Sequence, residues 1–172
     1  MHQQRSLNYH AMQDFHAQHH PSGESHTDSA HHGSEEKATV EEQKKVRVLV
    51  MDDEAPILEL TARLLKSRGY EVETALDGDT AVTQYRAAMD EGHPFSAVIL
   101  DLTVPEKMGG YDAFKAIQAF DPGVKAIVSS GYSHEPIVLN YKAYGIAAVA
   151  PKPYRVGELL GAVEGVVGKA GN

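Results

Sequence analysis

From Val46 to Lys169 the chain alternates between short apolar runs and longer amphipathic stretches. Val46 to Met51 is a β-rich run that ends in two carboxylates, Asp52 and Asp53. Behind it, Glu54 to Arg68 carries Ile57, Leu60, Thr61, Leu64 and Leu65 at helical spacing, which predicts a helix with that face inward, closed by Gly69. Glu71 to Ala75 reads as a second strand. Asp77 stands where an N-cap belongs, and the helix it opens runs to about Glu91, with Ala81, Val82, Tyr85 and Met89 inward. Phe95 to Leu100 is a third strand, again ending on a carboxylate, Asp101. After a loop containing Pro105, Gly109 and Gly110, Tyr111 to Phe120 is a helix stopped by Asp121, Pro122 and Gly123. Val124 to Ser129 is a fourth strand leading to Ser130 and Gly131, and Pro136 to Tyr144 a fourth helix. Ile146 to Ala150 is a fifth strand, ending at Pro151-Lys152-Pro153. Arg155 to about Lys169 closes the series, with Leu159, Leu160, Val163, Val166 and Val167 as its stripe.

Short apolar strands, mostly without polar alternation, suit a parallel sheet covered on both faces. Right-handed crossovers then favour a doubly wound α/β domain, a (βα)5 three-layer sandwich around a five-stranded parallel sheet. The domain is expected over residues 46–169, with 170–172 as its C-terminal end. Residues 1–45 differ in kind. They hold eight of the ten histidines and few apolar side chains, and no period organises those few. Such a segment cannot offset an ordering cost of roughly 1–2 kcal/mol per residue, so a disordered His-rich tail is expected, with a frayed helical turn at Ala38 to Lys45. The pairs His19/His20 and His31/His32 raise Zn or Ni binding. Their spacings fit no closed metal site, and a polar, weakly buffering linker is the better account.

Composition narrows the function. The 172 residues include 16 Lys plus Arg against 24 Asp plus Glu, a formal charge of -8, which argues against a nucleic-acid partner. The absence of Cys removes disulfides, thiolate metal sites and cysteine nucleophiles. No apolar run approaches a membrane span and the first ten residues lack a secretory signal, so a cytoplasmic protein with no membrane partner is expected.

In an open parallel sheet the functional site lies beyond the carboxyl ends of the strands. Those ends carry Asp52 and Asp53, Asp101, Ser130 and Lys152. Each alone has an ordinary explanation: a helix start, a turn, a surface ion pair. Together they are hard to explain as caps. Three neighbouring carboxylates need a compensating cation, and hard oxygen ligands without His or Cys favour Mg2+ or Mn2+. A carboxylate beside such an ion is a possible nucleophile toward a phosphoryl group. A lysine and a hydroxyl opposite it would hold the phosphoryl oxygens.

The segments Val50-Met51-Asp52-Asp53-Glu54, Leu100-Asp101-Leu102-Thr103-Val104-Pro105 with Gly109-Gly110, Ser129-Ser130-Gly131-Tyr132 and Pro151-Lys152-Pro153-Tyr154 resemble the receiver domain of two-component response regulators. The resemblance covers Val46 to Val167, and its variants look most like receivers at the C-terminus of hybrid sensor histidine kinases. It implies a flavodoxin-like strand order 2-1-3-4-5. It implies that Asp101 is the phosphoacceptor, charged from a phosphohistidine on a sensor histidine kinase or histidine phosphotransfer protein. Asp52, Asp53, Asp101 and the backbone carbonyl of Thr103 would hold Mg2+, Ser130 and Lys152 would meet the phosphoryl oxygens, Gly131 would leave the approach open, and Lys152-Pro153 would be cis. A phosphorylation-dependent homodimer through the last two helices is left open. Such a domain promotes transfer to its own aspartate and later hydrolysis, with no separate turnover substrate.

Two departures stand out. Val149 occupies the position where many receivers carry a Tyr or Phe that swings inward, so a signal would travel through Ser130, the loop Gly131 to Glu135 and the last two helices. Met108 precedes Gly109 where an Asp is common, and the paired glycines are expected to permit backbone conformations closed to other residues. Because the sequence ends soon after the last helix, a single-domain regulator or relay component is expected rather than a transcription factor. The rival is a receiver-fold interaction module that works without phosphorylation. A Mg2+-dependent phosphatase would need an acid two residues after Asp101, where Thr103 stands.

Overall fold

The computed structural model describes residues 45–170. The expected tail over residues 1–45 and the helical turn at Ala38 to Lys45 lie, but for Lys45 itself, outside those described, as do residues 171–172. Five strands form one parallel sheet: β1 (Arg47–Met51), β2 (Glu71–Ala75), β3 (Ala97–Asp101), β4 (Ala126–Ser130) and β5 (Ala148–Pro151), in the order β2-β1-β3-β4-β5. The register runs Leu49 beside Glu73 on one flank and Val98 on the other, Asp101 beside Ser129, and Ser130 beside Pro151. Between the strands lie α1 (Ala55–Lys66), α2 (Gly78–Asp90), α3 (Gly110–Gln118) and α4 (Pro136–Leu139), and α5 (Val156–Val167) follows the last strand. This is the doubly wound sandwich that the apolar runs require.

Alternation along each strand sends side chains to opposite faces. Leu49 and Met51 of β1 join Ala81 and Tyr85 of α2 and Ala113, Phe114 and Ile117 of α3 in one core. Val48 and Val50 join Leu58, Ala62 and Leu65 of α1 and Leu159, Leu160 and Val163 of α5 in the other. β3 and β4 are buried along their whole length, so truncating Ile99 or Ile127 to Ala would cost about 2–5 kcal/mol. A sheet packed this tightly holds its carboxyl ends in fixed positions, and it is there that the polar residues emerge.

The helices correct the expected faces in detail. In α1 the buried residues are Leu58, Thr61, Ala62 and Leu65, whereas Leu60 is 64% exposed. Alanine lets a helix approach the sheet, so the inward stripe includes the small Ala62 that a count of large apolar residues passes over. α2 behaves alike: Ala88 is buried and Met89 lies at the exposed margin. The fourth helix is shorter than expected. It stops at Leu139, and Tyr141–Tyr144 continue as a separate 3-10 turn. Asn140 leaves helical geometry, and both its backbone N–H and its side-chain amide donate to the Pro136 carbonyl, at 3.0 and 3.2 Å, which closes the helix there. Ile146, expected in β5, instead plugs the core just before it.

Candidate functional site

β1 and β3 are adjacent, so the residues at their carboxyl ends are brought side by side. Asp52 is 1% exposed and Asp101 4% exposed, while Asp53 points outward. One carboxylate oxygen from each of the three lies within 4.8 Å of the others. Asp52 Oδ1 accepts the Glu54 N–H at 3.0 Å and Asp101 Oδ1 accepts that of Thr103 at 3.3 Å, which turns the remaining oxygens toward a common centre.

Lys152 comes from the far end of the sheet. Its backbone N–H donates to the Ser130 carbonyl at 2.9 Å, continuing the β4–β5 pairing one step past the strands. Its ammonium then reaches across, donating to Asp101 Oδ2 at 2.9 Å and standing 2.7 Å from Asp52 Oδ2. Among the described residues Asp52 Oδ2 makes no other polar contact of this kind, so its ion pair with the Lys152 ammonium is what compensates its charge. Glu54 is more distant at 3.8 Å. Three carboxylates therefore face a single lysine.

The acid–base balance reflects this. Burial pushes the Asp101 carboxyl above the ordinary carboxylate range, against the pull of Lys152 and the Thr103 N–H, and the charge on Asp52 adds to the push. For Lys152 burial works against the charge, but Asp52 and Asp101 outweigh it and hold the ammonium above the usual lysine range. The lysine stays protonated and the cluster stays short of positive charge. Three close carboxylate oxygens in that condition suit a hard divalent cation.

A cavity of about 340 Å³ opens over the cluster, lined by Asp53, Glu54, Asp101, Thr103, Pro105, Gly131, Tyr132 and Lys152. A Cβ on Gly131 would meet open space. The expected residues thus divide. Asp52, Asp53, Asp101 and Lys152 come together, and Thr103 and Gly131 line the opening. Ser130 is 3% exposed, and its hydroxyl engages the next turn: Oγ accepts the Tyr132 N–H at 3.0 Å. Lys152-Pro153 is cis.

The loop after Asp101 corrects one expectation. Gly109 has φ -79°, a conformation open to other residues. The need for glycine is space: a Cβ on Gly110 would lie 2.4 Å from the Asp101 carbonyl oxygen, and one on Gly109 2.8 Å from that of Leu102. The residue with positive φ is Glu106, at 59°. Sequence reasoning also passed over Ser129, whose Oγ lies 2.6 Å from the Tyr154 hydroxyl beneath the lysine loop.

A doubly wound sheet with a carboxylate cluster and a facing lysine at its carboxyl edge defines a class, and comparison with known proteins identifies it. The chain belongs to the response regulator receiver domain family, whose model matches residues 48–164. It is 32% identical over 130 residues to the transcriptional regulatory protein PrrA of Mycobacterium tuberculosis, covering 73% of this chain and 52% of PrrA. It is 30% identical over 123 residues to the sensor kinase CckA of Brucella abortus, covering 71% of this chain and 12% of CckA. Among solved structures, CheY of Borrelia burgdorferi in complex with CheX, BeF3 and Mg2+ superposes with a TM-score of 0.64 at 27% identity, covering 70% of this chain and 88% of that one. The chain spans about half the length of the curated regulators it matches. Among the described residues, no helix is long and apolar enough to cross a membrane.

Proposed function

We propose that this chain is the phosphoacceptor of a two-component phosphorelay. Asp101 takes a phosphoryl group from a phosphohistidine on a sensor histidine kinase or histidine phosphotransfer protein. A carboxylate oxygen attacks phosphorus, the phosphorus–nitrogen bond breaks, and the electron pair stays on the histidine nitrogen, so that the imidazole leaves neutral after taking up a proton from solvent. The observation that carries this reading is the cluster itself: Asp101 sits buried among two further carboxylates, with one lysine donating to its free oxygen.

Asp52, Asp53 and Asp101, with the Thr103 carbonyl, would hold Mg2+ or Mn2+, which when bound would offset charge on the phosphoryl oxygens. Lys152 would follow the transferred group, exchanging a carboxylate oxygen for a phosphoryl oxygen at little cost in geometry. Ser130 would exchange its bond to the Tyr132 backbone for one to the aspartyl phosphate. Such contacts exist in only one state, so they shift the population toward the conformer that makes them and change which partner the loop Gly131 to Glu135 and the last two helices meet. The CheY complex with BeF3 and Mg2+ supports the ligand chemistry, and the likeness to a sensor kinase supports the donor. In this reading residues 46–169 are the working domain, residues 1–45 a polar lead-in, and the compartment the cytoplasm.

The test is phosphotransfer from radiolabelled histidine kinases to the intact chain and to Asp101→Asn. Label should reach the intact chain alone, and transfer should fail when EDTA is present from the start. Equal labelling of Asp101→Asn overturns the assignment.

A further inference from the structure

The segment that delivers Lys152 is poorly supplied with backbone donors. Pro151 and Pro153 have no N–H, so Pro151-Lys152-Pro153 offers only the Lys152 amide, already spent on the Ser130 carbonyl at 2.9 Å. A single tether leaves a loop free to pivot about it. The second tether is a side chain. Tyr154 packs its ring against the core between the sheet and helices α1 and α5, and its hydroxyl lies 2.6 Å from Ser129 Oγ. Ser129 is 0% exposed, on the same side of β4 as Ile127. Burial raises the Tyr154 phenol above its ordinary range, so the hydroxyl keeps its proton.

Connectivity gives this bond a second meaning. Ser129 is the residue before Ser130, and Tyr154 lies two residues after Lys152. The two partners of the buried bond are therefore chain neighbours of the two groups assigned to the phosphoryl oxygens. The Ser129–Tyr154 bond and the Lys152 amide bond link β4 to the β5–α5 loop at two separate points. We propose that Tyr154 and Ser129 are a positioning pair, which holds Lys152 where its ammonium meets Asp101 and sets its spacing from Ser130. The proposal rests on the phosphoacceptor reading for its purpose, but its geometry is testable without it.

The experiment uses the full chain with Tyr154→Phe, Ser129→Ala and the double variant. The first readout is the NMR signal of the Lys152 ammonium group without beryllofluoride, which is sharp only when the ammonium is held in fixed hydrogen bonds. It should be resolved in the intact chain and broadened in both single variants. The second is the apparent affinity for beryllofluoride in Mg2+, followed at the Ser130 and Gly131 amides. Each single variant should weaken it about three- to tenfold, the scale of one lost buried hydrogen bond, and the double variant no further. Thermal midpoints of all three variants establish that they fold, and Tyr154→Phe keeps the packed ring. An unmoved ammonium signal in Tyr154→Phe, or additive losses in the double variant, overturns the pair while leaving the phosphoacceptor reading intact. Failure of the intact chain to bind beryllofluoride overturns that reading, and with it the purpose assigned to the pair.

Discussion

β2 and β3 flank β1, and each sends an aspartate to the same edge of the sheet, yet the two loops treat their charge in opposite ways. After β2, Asp77 caps α2: Oδ1 accepts the Thr80 N–H at 2.8 Å and Oδ2 accepts Lys107 Nζ at 3.0 Å. Hydrogen bonds from Thr80, then Lys107, pull its carboxyl down to about 2. At the end of β3, burial pushes Asp101 up, and the lysine that faces it is shared with Asp52. Lys107, in the loop directly after Asp101, is turned to Asp77 instead. A carboxylate satisfied by its own turn serves the fold. One left short of positive charge in a fixed, buried setting has capacity for an external cation and an incoming group.

The largest effect that tests this contrast is metal-linked stability. A cation bound only by the folded chain stabilises it by about 2.7 kcal/mol at a concentration 100 times its Kd. Thermal denaturation with increasing Mg2+ should therefore show a rising midpoint for the intact chain. Asp53→Asn, at an exposed member of the cluster, should abolish the rise, and Asp77→Ala should leave it unchanged. A rise that survives Asp53→Asn but disappears in Asp77→Ala would invert the assignment of the two loops.

The cap should give the next largest effect. Asp77→Ala removes the bond to Thr80 and the ion pair with Lys107, at a cost of about 1 kcal/mol at neutral pH. Because the folded-state value is depressed, this stabilisation is present above the ordinary carboxylate range and is lost as pH falls through about 2. Urea midpoints of the intact chain and the variant should differ at pH 7 and converge between about pH 4 and pH 2. A gap that does not change with pH would show that the cap acts through shape and not through charge.

The contrast was half legible in the sequence. Asp77 before a helical pattern announces a cap, and Asp101 after an apolar run announces a strand end, because both depend on local order along the chain. The strand order came from the family resemblance, whereas the gathering of Asp52, Asp53, Asp101 and Lys152 at one edge of the sheet follows from strand ends once parallel pairing is granted. What could not be read is contact between side chains far apart in sequence. Nothing local says that Lys107 turns to Asp77, or that Ser129 in an apolar strand bonds a tyrosine 25 residues away. The helix faces were legible in outline, with Thr61, Leu65, Ala81 and Tyr85 buried as expected, and two positions went wrong for another reason. Hydrophobic weight chose Leu60 and Met89, whereas close approach to the sheet selects Ala62 and Ala88.

The smallest effect carries the finest distinction. The Asp101 carboxyl is raised, so the folded state disfavours its ionised form and loses stability as pH rises from the ordinary carboxylate range through the raised value. Asp101→Asn is neutral throughout and escapes that loss. Metal-free urea denaturation should find the variant equal to the intact chain at low pH and more stable than it at pH 7. The gain should be smaller than the loss in Asp77→Ala, because the amide gives up part of the Lys152 hydrogen bond while Lys152 keeps its contact with Asp52. A variant less stable than the intact chain at pH 7 would mean that Lys152 more than compensates Asp101. The two aspartates would then be satisfied alike, and the charge deficit that marks Asp101 for chemistry would not exist.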